Sequence, residues 1–348
     1  MMRVVVTGST GVVGRRACVR LAEEGHEVLG LDRRSSVAPS GVEIRTVDLA
    51  VTDLRVALAG ADTVVHLAAG VRAHRDDPRG ESLALAQRLL VAADQAGVRH
   101  LVVRSSATVY GAWADNPVPL TEDAPVRPCP DFPFAVHRAR LENLADSWAE
   151  DQPARRATLL RPVVTVAEEH TGGLARTLAA ALTISTREAD PLGQFLHADD
   201  LAEAVVYAVR EGFNGPLNVA PDGWIGAGDM AELGGLAHRL RLPAPLAVTV
   251  MRLLWRTGLS AAPPGVLPYT ESPWVVSNDR LRELGWEPRH SNEEAYVVSH
   301  GPSAADRLDA RARQRISLAV AGSLLLGLVS AAVWLVRRSR RHQSVTAP

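Results

Sequence analysis

The chain has 348 residues, 47% of them hydrophobic, with 38 basic and 39 acidic side chains and a net charge of −1. That length and apolar content are enough for a large core, and the near-neutral balance gives no footprint for a nucleic-acid partner. Cys18 and Cys129 are too few and too far apart for a disulfide framework or a thiolate metal cluster, which fits a reducing compartment, and no metal site is expected.

All 38 basic residues are arginine; the chain contains no lysine. This compositional bias matters at one position below.

The first element is an apolar β-branched strand, Val4 to Thr7, leading into Gly8, Gly11 and Gly14. A periodic helix follows at once, from Val12 to Glu24. Strand, tight turn and helix N-terminus together form the geometry that holds a dinucleotide pyrophosphate. Gly8 permits the turn, Gly11 lets the backbone approach the phosphates, and Gly14 lets the helix lie close on the strand. Cys18 is expected on this helix as a small buried residue. The next strand, His26 to Leu31, ends at Asp32, about 20 residues past the glycines, where an acid accepts adenosine ribose hydroxyls.

Strands are then expected at Val42–Val47, Asp62–Leu67 and Arg99–Arg104, with helices around Thr52–Leu58 and Glu81–Ala96. Gly97 ends the second of these helices. A helix Ala135–Glu150 and a strand Ala157–Arg161 complete the alternation. The pattern predicts an α/β fold, a Rossmann doubly wound parallel sheet, over residues 1–162. Beyond it, residues 163–299 read as a smaller, mostly helical substrate lobe, with segments near 195–220 returning to the sheet.

Residues 300–315 are polar and read as a linker. Ile316 to Val336 is 21 residues without a charge. As a helix it spans roughly 31 Å, the thickness of a bilayer core. Arg311, Arg313 and Arg315 precede it; Arg337, Arg338, Arg340 and Arg341 open the basic tail 337–348. A single C-terminal membrane span in contact with lipid is expected. With no signal peptide at the N-terminus, the large domain is expected in the cytoplasm. Ala319, Ser323, Gly327 and Ala331 fall every four residues, a ridge through which two such helices would pair into a homodimer.

Read in order, the motifs resemble the extended short-chain dehydrogenases/reductases, the family of NAD-dependent epimerases and dehydratases. The resemblance runs from Met1 to Ser299. Its marks are Thr7-Gly8-x-x-Gly11-x-x-Gly14, Asp48-Leu49, His66-Leu67-Ala68-Ala69, Ser105-Ser106-Ala107-Thr108-Val109-Tyr110-Gly111, Leu160-Arg161-Pro162, Phe195 to Ala202, Asn218-Val219-Ala220 and Leu284 to Pro288.

The resemblance implies roles by position. The cofactor would lie along Gly8, Thr10, Gly11, Val12, Val13, Gly14, Asp32, Arg33, Asp48, Leu49, Leu67, Ala68, Ala69, Arg138 and Pro162. Asp48 would bond the adenine amino group, and Ala68 and Ala69 would line the cofactor's path. Ser106 matches the catalytic serine, while His197, Asp199 and Asp200 match a structural segment. Asp32 favours NAD by repelling a 2′-phosphate; Arg33 and Arg34 leave NADP open.

The pattern breaks at the family's Tyr-x-x-x-Lys pair, a tyrosine acid/base with a lysine one turn on. Here Phe134 and Arg138 stand at those positions. Arginine keeps the cation, in a chain that avoids lysine, but phenylalanine has no proton to transfer. Neither Tyr110 nor the three tyrosines downstream is an obvious replacement; His137 is adjacent, and an unperturbed imidazole changes charge near neutrality. Two functions stay open. One is an oxidoreductase or epimerase on a nucleotide-sugar or lipid-linked small molecule. The other is a non-catalytic dinucleotide sensor or scaffold.

Overall fold

A computed structural model describes residues 1–68, 81–182, 184–185, 192–234, 240–260 and 262–299. The first half runs β1 (Arg3–Thr7), α1 (Val12–Glu23), β2 (Glu27–Asp32), β3 (Val42–Thr46), α2 (Leu54–Leu58), β4 (Thr63–His66), α3 (Glu81–Gln95), β5 (His100–Arg104), α4 (Pro133–Glu150) and β6 (Arg156–Pro162). The second half runs β7 (Val164–Ala167), β8 (His170–Thr171), α5 (Gly173–Ala181), β9 (Ile184–Ser185), β10 (Phe195–His197), α6 (Ala198–Glu211), β11 (Gly215–Val219), α7 (Ala227–Gly234), β12 (Leu240–Arg241), α8 (Ala244–Arg256), α9 (Asp279–Glu283) and α10 (Asn292–Ser299). Met1–Ser299 form one compact unit.

Seven strands form one sheet in the order β11-β6-β5-β4-β1-β2-β3, every pair parallel. The runs Val4–Val6 and Leu101–Val103 are almost wholly buried because both faces of the sheet are covered. Val4, Val6, Val65 and Val102 pack under α1 and α6, against residues such as Leu21 and Leu201. Val5, Val64, Leu101 and Val103 face α2, α3 and α4, against Leu58, Leu89 and Leu141. The chain builds outward from β1 to β3, then crosses back to β4. That reversal opens a crevice at the carboxyl ends of β1 and β4, where such sheets take ligands.

The later segments divide. β11 joins the large sheet beside β6, as expected for part of 195–220. Phe195–His197 does not: β10 pairs with β7, and β7 with β8, in a separate three-stranded sheet. β11, not β10, takes the place beside β6 and is the edge strand of the large sheet on that side. Among the described residues, the region after Pro162 carries six strands as well as helices, so it is less purely helical than its sequence suggests.

Two buried networks tie distant motifs together. Arg161 pairs bidentately with Glu142 (Nε to Oε1 3.0 Å, Nη2 to Oε2 2.8 Å) and donates Nη1 to the Tyr110 hydroxyl at 2.7 Å. Tyr110 in turn donates to Asn218 Oδ1 at 2.8 Å. So β6, α4, the turn after β5 and β11 meet at one ion pair. In the second, Asp200 accepts the backbone N–H groups of Arg289 (3.0 Å) and His290 (3.1 Å), and Trp286 donates to the Asp200 carbonyl at 3.2 Å.

Cys18 is buried on α1, where desolvation pushes its thiol up to about 12; it is a packing residue. Among the described residues no helix is long and apolar enough to cross a membrane. The linker 300–315, the expected span 316–336 and the tail 337–348 lie outside the described residues.

Candidate functional site

The crevice floor begins where β1 ends. Gly8 has φ +74°, in the left-handed region, and its N–H donates to the Leu31 carbonyl at 2.9 Å. A Cβ on Gly8 would stand 2.8 Å from the Ala68 nitrogen, and one on Gly14 would collide with the Gly8 carbonyl. The turn is therefore folded as closely as bare backbone allows. Gly11 is the N-cap of α1, with no side-chain cap and no acid in the first turn. The first helical N–H groups, at Val12 and Val13, are thus left to an outside anion. This cradle fits a pyrophosphate.

Asp32 closes β2 beside it. Its Oδ2 accepts the Thr10 N–H at 3.1 Å and its Oδ1 the Arg34 N–H at 3.0 Å. Burial alone would raise this carboxyl, but the backbone donors of Arg34 and Thr10 hold it below the usual range. Arg33 is exposed. Asp48 is also exposed, and its Oδ1 accepts the Ala50 N–H at 2.9 Å. Leu49 packs on the core beneath it. Leu67, buried, and Ala68, half-buried, follow β4, while Pro162 ends β6 and is buried. Ala69 lies outside the described residues.

Ser106 follows β5 and is 2% exposed. Its Oγ accepts from the Thr108 N–H (3.3 Å) and hydroxyl (3.0 Å), capping the 3-10 turn Ala107–Tyr110. With its oxygen so used, the Ser106 proton is free to be donated elsewhere.

Phe134 and Arg138 lie one turn apart on α4. The Arg138 guanidinium carbon stands 5.1 Å from the Phe134 ring centre, and Nη1 donates to the Arg104 carbonyl at 2.9 Å. Arg138 is buried, and its Nε has no partner among the described residues. Desolvation, then the neighbouring Arg104 charge, pulls its guanidinium down to about 9; desolvation alone takes Arg104 to about 10. His66, at the end of β4, shares a 2.8 Å hydrogen bond with the Thr7 hydroxyl. Burial, Arg138 and His137 lower it to about 4, so its imidazole is neutral at neutral pH. Two buried guanidiniums, Arg138 and Arg104, therefore concentrate positive charge beside the crevice, at the end of β5 and on α4.

The structure also brings in a residue that the sequence set aside as distant. Tyr269 packs on Phe132 (5.1 Å between ring centres), which packs on Phe134 (5.7 Å). The Tyr269 hydroxyl donates to the Thr108 carbonyl at 2.8 Å. It is buried and its pKa is raised, chiefly by desolvation, so it supports the serine turn and does not replace the missing acid. No local signal around Tyr269 marks it; only the tertiary fold carries it there.

Comparison with known proteins decides the family. Residues 4–220 match the NAD dependent epimerase/dehydratase family. The chain belongs to that family. It is 33% identical to a 3-diazoavenalumate denitrifying reductase from a Streptomyces species, over 83% of this chain and 97% of that protein. It is 26% identical to the UDP-glucose 4-epimerase of Corynebacterium glutamicum, over 84% and 92%. Among solved structures it resembles MoeE5 in complex with UDP-glucose and NAD, with 26% identity, a TM-score of 0.63, and 85% and 97% coverage. Its relatives thus include, by name, both a sugar epimerase and a reductase.

Proposed function

We propose that the chain binds NAD across the Gly8–Gly14 turn and acts as a reductase on an electron-poor acceptor. In its reduced form, NADH, the cofactor would supply a hydride from its nicotinamide and leave as NAD. The N–H groups of Val12 and Val13 take the pyrophosphate, Asp32 the adenosine ribose hydroxyls, Asp48 the adenine amino group, and Arg138 the nicotinamide ribose.

One observation carries the choice of reductase: Phe134, stacked on Arg138, occupies the place of the acid/base. An alcohol cannot be deprotonated there, and general acid–base help is worth about 10² to 10⁴ in rate. Hydride addition to a neutral electrophile needs no such base. It leaves a negative charge that Ser106 O–H and the buried Arg138 cation stabilise electrostatically. The product anion then takes its proton from water. A quinone-like, conjugated or diazo acceptor meets this requirement; a sugar hydroxyl does not. The relative at 33% identity is by name a reductase of a diazo compound.

The test is NADH consumption with a panel of such acceptors, alongside UDP-glucose. Turnover of electron-poor acceptors, lost in Ser106→Ala, is expected. Epimerisation of UDP-glucose would overturn the reading, and NAD binding without any turnover would make the chain a sensor instead.

We also propose that residues 316–336 anchor the protein in a bilayer, with residues 1–299 in the cytoplasm, and that the ridge through Gly327 pairs two copies. The uncharged run and its arginine brackets support this. Retention in carbonate-washed membranes is expected, and Gly327→Ile should weaken self-association in detergent. Release by carbonate would refute the anchor.

A further inference from the structure

Arg104 closes β5 at the carboxyl end of the sheet, two residues before Ser106, and the chemistry described above gives its side chain no task. Side chains alternate along a strand. Leu101 and Val103 face α3 and α4, Val102 faces α1 and α6, and Arg104 falls on the Val102 side. β4 stands between β5 and β1. Two strand spacings are about 10 Å, which places Arg104 at the Ser106 end of the crevice and not over the pyrophosphate turn. Arg104 is half-buried and desolvated at its guanidinium, and Arg138 is 7% exposed. Arg138 Nη1 bonds the Arg104 carbonyl at 2.9 Å, and the two guanidiniums are near enough to repel. Buried cations are ordinarily paired. Among the described residues these two are not: neither guanidinium bonds a carboxylate, and no acid offsets the desolvation of Arg104. Glu142 acts on Arg138, but both its oxygens are taken by Arg161, at 3.0 and 2.8 Å. His66 and His137, the other titratable neighbours of Arg138, bring no negative charge.

We propose that the Arg104 guanidinium is a carboxylate-binding subsite, so that the acceptor this protein reduces is itself an organic acid. The proposal rests on the reductase reading above and narrows its substrate class. A guanidinium presents its N–H donors as a planar fork, and a carboxylate accepts two of them in parallel. The compact ammonium of a lysine offers no such fork. The charges also balance. The acceptor's carboxylate brings one negative charge, and the hydride adds a second with its electron pair. Arg104 meets the first; Arg138 and Ser106 meet the second. A neutral acceptor would leave one buried cation without a counter-charge. In a desolvated crevice each such pairing is stronger than it would be in water. The same arrangement strains the empty protein, because two like charges lie close together with no acid between them.

The experiment titrates the full chain by calorimetry with benzoate and with benzamide, its neutral isostere, both with and without saturating NAD. Benzoate is expected to bind at least about 10-fold more tightly than benzamide. Arg104→Gln keeps a polar side chain without the charge. It should abolish that preference and raise the thermal midpoint of the ligand-free protein, because it removes one of two like charges. Arg104→Lys, which restores the charge without the fork, should recover part of the preference. A purely structural Arg104, held by a counter-ion of the chain itself, would give the opposite shift: Arg104→Gln would lower the midpoint. That lower midpoint, equal binding of benzoate and benzamide, or a preference that survives Arg104→Gln would each overturn the proposal. The reductase reading fails separately, by absence of NADH consumption in a protein whose Arg104 still selects benzoate.

Discussion

The Arg138 guanidinium lies 5.1 Å from the centre of the Phe134 ring, so the cation of this site is stacked on an aromatic face that cannot exchange a proton. A desolvated cation–π contact of this kind contributes about 0.5 to 2 kcal/mol. Phe134→Ala, which also gives up the ring's packing on Phe132, should therefore lower stability by at least that amount and weaken NADH binding through a loosened Arg138. Phe134→Tyr keeps the ring and should leave NADH affinity within about threefold. Calorimetry on both variants checks this.

The buried Arg161–Glu142 pair holds α4, which carries Phe134 and Arg138, to β6. Removing one partner of such a pair strands a buried charge and costs about 3 to 5 kcal/mol. Glu142→Ala should show that loss in urea unfolding. Tyr110→Phe strips Arg161 Nη1 and Asn218 Oδ1 of their shared partner and should cost about 1 to 3 kcal/mol.

Asp32 should set cofactor choice. Its carboxylate is held ionised by the Thr10 and Arg34 N–H groups and repels a 2′-phosphate. Asp32→Ala should reduce NADH affinity about 10-fold and narrow the preference over NADPH, with Arg33 and Arg34 nearby. Equal affinity of the unmodified protein for both cofactors would contradict this.

His66 and His100 set an acid limit. Desolvation is the first cause in both, and each falls to about 4. The unfolded chain takes up these protons near pH 6.5, which the folded chain refuses until about pH 4. Their contribution to stability is thus complete above pH 6.5 and is lost as pH falls from there to 4. Asp146 runs the other way: burial, then Glu142, raises it to about 6, so it destabilises the fold as pH rises from 4 to 6. Asp146→Asn should raise the thermal midpoint at pH 7 and leave it unchanged at pH 4.

Much of this was legible in the sequence because its signals are local. The glycine spacing forces a turn with no room for a Cβ, and uninterrupted runs such as Val4–Val6 can be buried on both faces only in a covered parallel sheet. Phe134 was legible too, since the helix frame fixes its position. What the sequence hid is tertiary. Tyr269 reaches the serine turn from 161 residues away, and His290 meets His197 through a strap whose own pattern is unremarkable. Arg104 reads as the end of a strand; only Arg138's bond to its carbonyl marks it as part of the site. β10 carries no mark of which sheet it joins, because three residues pair equally well with any free edge.

The most direct measurement incubates the full chain with NAD and UDP-glucose, follows NAD binding by calorimetry and follows the sugar by the appearance of its 4-epimer. Binding of NAD with no epimerisation is expected, because residue 134 has no proton to move. Formation of UDP-galactose at a rate matched to bound NAD would contradict the assignment of this site to base-independent reduction.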